Sequence, residues 1–207
     1  RLQIRRNHTA THLLHATLRK ILGTHVKQAG SLVTPDRLRF DFTHSAPLSH
    51  EQQNEIENLI NKQIHTNSPV HTEIRATKDA ISAGAMALFG EKYGDVVRTV
   101  QIGNDDERYS LELCGGTHVQ QTGEIGSFIV TSESSISSNT RRIEAITGQA
   151  AQRYIHHSLT ILSNMSINLQ SDIDSLPDKI TQLQADYAQT LSACDNLELQ
   201  LVQHQLT

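Results

Sequence analysis

The sequence predicts an α+β fold, with antiparallel sheets and packed helices over residues 1–150, followed by a helical or coiled-coil extension over residues 151–207. Segments with an apolar period of two are mixed with segments of helical period, but strand and helix do not alternate strictly. Turn-forming residues separate these segments. Beyond Gly148 the strand signals end, which places the boundary between a mixed domain and a helical one.

The first predicted helix covers residues 8–22, where leucine and isoleucine recur at helical spacing. Asn7 is its expected N-cap and Gly23 its expected end. A second helix begins after Ser49, which has glutamine near the capping-box position. The other elements predicted for this domain are strands at 26–33, 37–43, Val70–Ala76, Val96–Ile102, 125–131 and 142–146, a helix at 78–88, and a serine-rich connection at 132–138.

The extension is predicted to hold a helix at 149–170 and a second one opened by Pro177, which fits a first helical turn. Its apolar residues follow a 4-3 spacing that resembles a heptad seam. The seam residues are Leu176, Ile180, Leu183, Tyr187, Thr190, Cys194, Leu197 and Leu201. Two interpretations stay open: a helix packed on its own domain, or a coiled coil that joins two copies as a homodimer.

Composition narrows the classes of protein further. No apolar run approaches the roughly 20 residues of a membrane helix, so no membrane is expected as a partner. Two cysteines in different settings argue against a disulfide framework and favour the cytoplasm. The chain begins with Arg1 rather than Met, so we expect a piece of a longer protein. Residues 1–40 carry eight Lys/Arg against one acid, which fits either an anionic ligand or a solvated face.

Two short motifs carry the clearest chemistry. His8 and His12 lie one helical turn apart, and Cys114 and His118 flank a Gly-Gly-Thr sequence about a hundred residues later. Three imidazoles and one thiolate are a typical tetrahedral ligand set for Zn²⁺. A zinc peptidase would need Glu after the first His, but Thr9 stands there. On ligand number alone, four protein ligands favour a structural zinc over a catalytic one.

A series of longer strings resembles one known family. They are Asn7-His-Thr-Ala-Thr-His-Leu-Leu-His, Gln28-Ala-Gly-Ser-Leu-Val, Arg39-Phe-Asp-Phe-Thr-His, Gly84-Ala-Met-Ala-Leu-Phe-Gly-Glu-Lys-Tyr-Gly, Leu113-Cys-Gly-Gly-Thr-His-Val and Arg141-Arg-Ile-Glu-Ala. In order, over about residues 1–151, they resemble the editing domain of alanyl-tRNA synthetase, within the second-additional-domain family shared with threonyl-tRNA synthetase. Residues 152–207 fit the helical connector that follows this domain.

The resemblance implies a zinc-dependent hydrolase that deacylates mischarged Ser-tRNA(Ala) and Gly-tRNA(Ala). A pocket made for alanine cannot exclude glycine and rejects one added hydroxyl poorly, so a second, hydrolytic site is needed. The expected partners are the acceptor end of tRNA(Ala) and the rest of the synthetase chain. The aminoacylation domain of the ATP-dependent ligase is not expected in this sequence. The alternative is a non-catalytic, zinc-stabilised module for tRNA binding or oligomerisation.

The family match also implies roles for single residues. The zinc ligands would be His8, His12, Cys114 and His118, with the ion positioning substrate. Gln28 would contact the ester or aminoacyl group, unless it is a solvent-facing strand residue. Thr9 and Thr11 would recognise the serine side chain, or are plain helix hydroxyls. Arg141 and Arg142 would hold tRNA phosphates, or are strand charges paired with Glu144.

Overall fold

A computed structural model describes residues 1–87 and 93–205 of the chain, with side chains up to residue 201. The chain divides into two compact units, Arg1–Arg153 and Tyr154–Thr207. The helices are α1 (Leu2–Leu22), α2 (His50–Thr66), α3 (Thr77–Ser82), α4 (Gly148–Leu169) and α5 (Leu176–Gln205). The strands are β1 (Gln28–Val33), β2 (Leu38–Thr43), β3 (Val70–Ala76), β4 (Val96–Ile102), β5 (Ser110–Leu113), β6 (Phe128–Ser137) and β7 (Thr140–Thr147). Two short 3₁₀ turns cover Thr122–Ile125 and Ile173–Ser175.

The strands form two antiparallel sheets. One has four strands in the order β1-β2-β7-β6, and the other has three in the order β3-β4-β5. Every pair of neighbouring strands runs antiparallel. The α+β prediction of antiparallel sheets with packed helices is therefore confirmed.

The main core lies where α1 and α2 cover the four-stranded sheet. Its members are aliphatic except for three phenylalanines, as expected for a chain with no tryptophan. Each fully buried leucine, isoleucine or phenylalanine contributes about 1.5–3 kcal/mol. These side chains include Leu13, Leu14 and Leu18 of α1, Leu38, Phe40 and Phe42 of β2, Ile56 and Ile60 of α2, Phe128 of β6 and Ile143 of β7.

Helix α1 begins six residues earlier than predicted, at Leu2, so the prediction of Asn7 as its N-cap is wrong. Asn7 is buried, and its amide nitrogen donates to the carbonyl of Thr34 at 2.8 Å. Its amide oxygen accepts from Thr147 Oγ1 at 2.6 Å. Tertiary hydrogen bonds thus use the polar side chain that local sequence assigns to a cap. The helix ends as predicted at Gly23, whose φ is +113°.

Helix α2 begins as its sequence predicts. Ser49 Oγ accepts from the backbone nitrogen of Gln52, and the Gln52 side chain accepts from the Ser49 backbone in return. This is a complete capping box. The reciprocal bonds satisfy two backbone donors that a helix start leaves open.

Two other boundaries differ from the predictions. Helix α3 ends at Ser82, before Gly84 at φ +84°, while the sequence predicted a helix to residue 88, which lies outside the described residues. The string Gly84–Gly94 is likewise described only in part. The serine-rich segment 132–138 was expected to be a connection. It instead continues β6 to Ser137, because pairing with β7 outweighs the weak strand preference of serine.

The second unit is helical, as the sequence predicts. Within it, α5 presents apolar side chains with large exposed fractions, such as Tyr187 at 70% and Leu197 at 59%. Cys194 on the same helix is exposed. None of the helices in the described part of the chain is both long enough and apolar enough to span a membrane.

Candidate metal centre and adjoining cavity

The fold brings the two sequence motifs together. His8, His12, Cys114 and His118 each present one ligand atom, and these atoms all lie within 4.8 Å of one another. The two histidines of α1 stand one turn apart, and the other two residues lie in the segment that leaves β5. We call these four residues the His–Cys cluster. It joins positions about a hundred residues apart in the first unit.

The loop between Cys114 and His118 is shaped to approach α1 closely. A Cβ at Gly116 would overlap the imidazole ring of His8, so only glycine fits there without a shift. Arg98 holds the same loop, because its Nη1 donates to the carbonyls of Cys114, at 3.1 Å, and Gly116. The glycine and the arginine together fix where the Cys114 sulfur lies.

The hydrogen bonds of the histidines fit a metal ion. His12 Nδ1 donates to Glu112 Oε2 at 2.9 Å, and His118 Nδ1 lies 3.3 Å from Thr9 Oγ1. Thr9 gives its own proton to the carbonyl of Arg5, so its oxygen accepts from His118. The Nε2 atoms of His12 and His118 are buried and have no partner among the described residues. Outer partners that fix Nδ1 and leave Nε2 for an ion are typical of zinc-bound histidine.

Cys114 and His118 are held in the forms that bind metal. Burial alone would raise the pKa of the Cys114 thiol, but hydrogen bonds with His118, His12 and His8 lower it to about 3. Burial lowers the pKa of His118 to about 4, which makes its imidazole neutral near pH 7. A thiolate and a neutral imidazole are the protonation states that zinc requires.

Glu112 places a second negative charge behind the cluster. Burial works to raise its pKa, but the neighbouring His12 outweighs burial and holds the pKa below its usual range. Burial likewise works to lower the pKa of His12, but Glu112 and Cys114 raise it to about 10. Two buried anions therefore require positive charge at this point. A proton on His12 supplies one unit, whereas a dication neutralises both.

Neither Glu112 nor its second partner, His15, was predicted from the sequence. Glu112 is only 4% exposed, and it accepts from His12, from His15 Nδ1 at 3.2 Å and from Ser110 Oγ at 2.9 Å. The sequence signal that could have identified Glu112 is its position as an acid inside the apolar run Leu111–Leu113, two residues before the cysteine. A carboxylate on a buried strand needs cationic or donor partners, and the third histidine of α1 supplies one.

A cavity of about 240 Å³ opens beside the cluster. Gln28 and Thr11 line it together with His8, His12 and Cys114. Gln28 is half-buried, and its amide nitrogen donates to Ser31 Oγ at 3.1 Å. The ladder of β1 and β2 shifts register between Gln28 and Gly30, and such a bulge turns a strand-end side chain to a new direction.

The other residues predicted for the site lie in different surroundings. Thr11 is buried and donates to the carbonyl of Asn7 at 2.8 Å. Thr9 lies behind His118, and its hydroxyl also accepts from the backbone nitrogen of Val119 at 3.2 Å. The structure thus brings Thr11 to the cavity and uses Thr9 to support a cluster histidine.

Arg141 and Arg142, which we call the arginine pair, each bind a carboxylate through two nitrogens. Arg141 reaches Glu133 at 2.5 and 2.6 Å, and Arg142 reaches Asp41 at 2.7 and 2.9 Å. These ion pairs raise the pKa of both guanidinium groups. Neither arginine lines the cavity. Their predicted contact with phosphate stays a prediction.

Comparison with known proteins gives consistent matches. The family model described as "Threonyl and Alanyl tRNA synthetase second additional domain" matches residues 97–144. The alanine–tRNA ligase of Pseudothermotoga lettingae is 55% identical over 183 residues, which are 88% of this chain and 21% of that protein. The alanine–tRNA ligase of Hydrogenovibrio crunogenus is 52% identical over 200 residues, 97% of this chain and 23% of that protein. That of Bacillus subtilis is 50% identical over 181 residues, 87% of this chain and 20% of that protein. The chain thus spans about a fifth of the length of these relatives.

Proposed function

Because the chain is a homologue of one region of the alanine–tRNA ligases and carries the second additional domain of threonyl and alanyl tRNA synthetases, we propose that it edits mischarged tRNA. The reaction is hydrolysis of the ester that joins serine or glycine to tRNA(Ala). Its products are free amino acid and tRNA. The place of action is the cytoplasm, within the longer synthetase chain.

The observation that carries this proposal is the His–Cys cluster at the wall of a cavity. Its unpartnered Nε2 atoms and its thiolate suit zinc, and the cavity gives room for a small aminoacyl group beside them. When bound there, zinc supplies Lewis-acid and template chemistry for an ester. A binding module alone would have no need of a cavity at the ion.

Two side chains of the cavity, Gln28 and Thr11, orient the aminoacyl ester. The Gln28 amide donates one N–H to Ser31 Oγ. Its oxygen and its second N–H are left for the ester or the amino group of the substrate. Thr11 gives its proton to the helix backbone, so its oxygen is an acceptor toward the hydroxyl of a bound serine. An alanyl ester lacks that hydroxyl and leaves the acceptor without a partner. This contact therefore favours a seryl ester over an alanyl ester, and it does not contribute to the hydrolysis of a glycyl ester.

Measured deacylation of Ser-tRNA(Ala) tests the proposal. Cys114→Ala removes one ligand and is expected to lower the rate about a hundredfold or more, since metal Lewis acidity is worth several kcal/mol. Cys194→Ala, at the exposed cysteine of α5, is the matched control and keeps the rate of the unmodified chain. Circular dichroism of both variants checks that the fold persists. Their zinc content is measured in the same samples. Absence of turnover by folded, zinc-loaded protein would overturn the editing function.

A second candidate is a zinc-stabilised module without catalysis. It is favoured by the four protein ligands, which are enough to close a tetrahedral zinc site. In this case chelation lowers the melting temperature, while the zinc-loaded protein binds tRNA(Ala) and leaves its ester intact. The deacylation assay above separates the two candidates.

Self-association through α5 is a further part of that second candidate. The exposed apolar residues of α5 include Leu183, at 43%, and Leu197, at 59%. If they form a homodimer seam, Leu183→Ser together with Leu197→Ser lowers the mass measured by sedimentation. An unchanged mass would rule out the seam.

A further inference from the structure

Met86 and Ala87 bring an apolar surface to the cavity beside the His–Cys cluster. They belong to the string Gly84–Gly94, to which the proposed reaction assigns no role. Met86 is half-buried and Ala87 is exposed. Met86 is therefore the larger and the less exposed of the two apolar side chains that this string brings to the cavity.

The backbone of Met86 is paired with β5. Its N–H donates to the carbonyl of Leu111 at 2.9 Å, and its carbonyl accepts from the backbone nitrogen of Leu113 at 2.9 Å. The two bonds form an isolated parallel bridge between Met86 and Glu112. Gly84, at φ +84°, turns the chain from α3 toward this bridge. Met86 is thus held by the strand that leads into the His–Cys cluster.

This pairing decides which way the Met86 side chain points. Paired residues of neighbouring strands place their side chains on the same face, and Glu112 faces the cavity. Successive residues of an extended segment point to opposite faces. Ala85 packs against the smaller apolar core around Ala80 of α3, so Met86 points away from that core. Both arguments direct the thioether to the cavity.

A methionine at this position acts on a bound group through its volume. Its side chain is apolar and unbranched, and its sulfur is only a weak acceptor. The polar contacts proposed for the ester come from Gln28 and Thr11. A threonyl ester carries the same hydroxyl as a seryl ester, so the acceptor at Thr11 does not tell them apart. Only the space around the extra methyl group distinguishes the two.

We propose that Met86 sets the size limit of the cavity, which admits the side chain of a seryl ester and excludes that of a threonyl ester. This inference rests on the proposed function, which places the aminoacyl ester at the His–Cys cluster. A wall whose backbone is fixed on both sides yields little to an added methyl group. One methyl group in such a pocket changes a rate ratio by about 10- to 200-fold.

Deacylation of tRNA(Ala) charged with serine or with threonine tests the size limit on the zinc-loaded chain. The unmodified chain is expected to hydrolyse the seryl ester at least about tenfold faster than the threonyl ester. Met86→Ala shortens the side chain and is expected to raise the ratio of the threonyl rate to the seryl rate by about tenfold or more. Met86→Leu conserves the volume and is expected to keep this ratio.

Met165→Ala in α4 is the matched control, because Met165 is not among the described residues that line the cavity. It is expected to keep both rates. Met86→Phe tests the limit in the other direction, since the larger ring is expected to lower the seryl rate about tenfold relative to the glycyl rate. Melting curves check that each variant is folded. A threonyl to seryl ratio that is the same in Met86→Ala and the unmodified chain would overturn the proposal.

Binding of two analogues separates the size limit from the editing function. In the 3′-seryl and 3′-threonyl amides of 3′-aminoadenosine, an amide replaces the ester, so affinity is measured without turnover. The unmodified chain is expected to bind the seryl amide about tenfold more tightly or better, and Met86→Ala is expected to reduce this difference. If the chain leaves Ser-tRNA(Ala) intact but shows this change in affinity, the editing function fails and the size limit stands. If it deacylates Ser-tRNA(Ala) and Met86→Ala changes neither ratio, the editing function stands and the size limit is wrong.

Discussion

The His–Cys cluster and the arginine pair are both groups of side chains that the sequence predicted as functional, and the structure gives them opposite surroundings. In the cluster, the Nε2 atoms of His12 and His118 are buried without a partner among the described residues. In the pair, Arg141 and Arg142 each donate two hydrogen bonds to a carboxylate. Burial of a polar atom without a partner costs about 1–3 kcal/mol, and two such imidazole nitrogens beside a thiolate are suited to hold a metal ion. A saturated ion pair already has its partner inside the fold.

Among the changes that test this comparison, a change of pH is expected to have the largest effect, and the quantity it changes is the zinc affinity of the His–Cys cluster. The pKa of His12 is raised to about 10, whereas Cys114 and His118 have pKa values lowered to about 3 and about 4. Between pH 5 and pH 8, zinc must therefore displace a proton from His12, and the affinity rises by about one decade per pH unit. Competition with a chelator measures the roughly thousandfold change. An affinity independent of pH over this range would show that His12 does not have to give up a proton to the ion.

The same raised pKa has a consequence for the zinc-free chain. A protonated His12 stabilises the folded state fully below its unfolded pKa near 6.5, and this stabilisation is lost as pH rises toward 10. Up to about pH 9 the thiolate of Cys114 offsets this loss, because its pKa is lowered from its ordinary value near 9 to about 3. Urea unfolding of chelator-treated protein at pH 9 and pH 10 therefore measures the loss. The zinc-loaded protein is the control and should not lose this contribution.

The next largest effect is expected from Gly116→Ala. The new methyl group would overlap the His8 ring and push it away from the other ligands. Overpacking of this kind costs up to about 3 kcal/mol, which corresponds to about a hundredfold in zinc affinity. Gly115→Ala is the matched control, because a Cβ at Gly115 meets nothing within 4 Å. Equal zinc affinities of the two variants would break the argument that the loop is shaped for an ion.

A smaller effect is expected from Glu112→Gln. The substitution keeps the shape of the side chain but replaces the anion that His12 Nδ1 contacts at 2.9 Å. Loss of such an outer partner lowers metal affinity by about 10- to 100-fold. The proton released by zinc binding should also decrease, because the pKa of His12 loses a raising interaction. Titration calorimetry in two buffers measures both quantities, with Glu107→Gln in the exposed loop as the control.

The smallest effect on zinc is expected from Arg141→Gln. It breaks the pair with Glu133 and leaves that carboxylate, whose side chain is 5% exposed, without its cation. The melting temperature should fall by a few degrees while the zinc affinity stays the same. The salt slope of tRNA binding decides between the two roles of this residue. A slope lowered by about one unit would show that Arg141 contacts phosphate after all.

Whether a feature can be predicted from the sequence depends on whether local or long-range interactions determine it. The one-turn spacing of His8 and His12 on a helix and the capping box at Ser49 are local patterns, and both are present in the structure as predicted. The start of α1 depends on where the buried side chain of Asn7 finds partners, at Thr34 and Thr147. Strand β6 extends through serines because β7 lies beside it. Features of this second kind need the tertiary structure.

The candidate site divides in the same way. The four residues of the His–Cys cluster were predicted as one set from residue type and spacing, and the resemblance implies the same set. Glu112, His15 and the cavity-facing position of Arg19 depend on the packing of α1 against the segment around β5, which no short motif encodes. The acidic partners of the arginine pair also differ from the predicted Glu144. They are Glu133 and Asp41, which lie on the neighbouring strands.

The bulge between Gln28 and Gly30 has a consequence for how this cavity can change. Side chains alternate between the faces of a strand, so a one-residue offset separates the orientation at position 28 from that of the regular ladder at Ser31–Val33. Position 28 therefore accepts new side chains without moving those that hold the sheet together. Deleting Ala29 would remove the bulge. The direction of the side chain at position 28 would then be tied to the alternation of side chains in Ser31–Val33. The bulge makes the lining of the cavity adjustable at this one position while the hydrophobic core stays as it is.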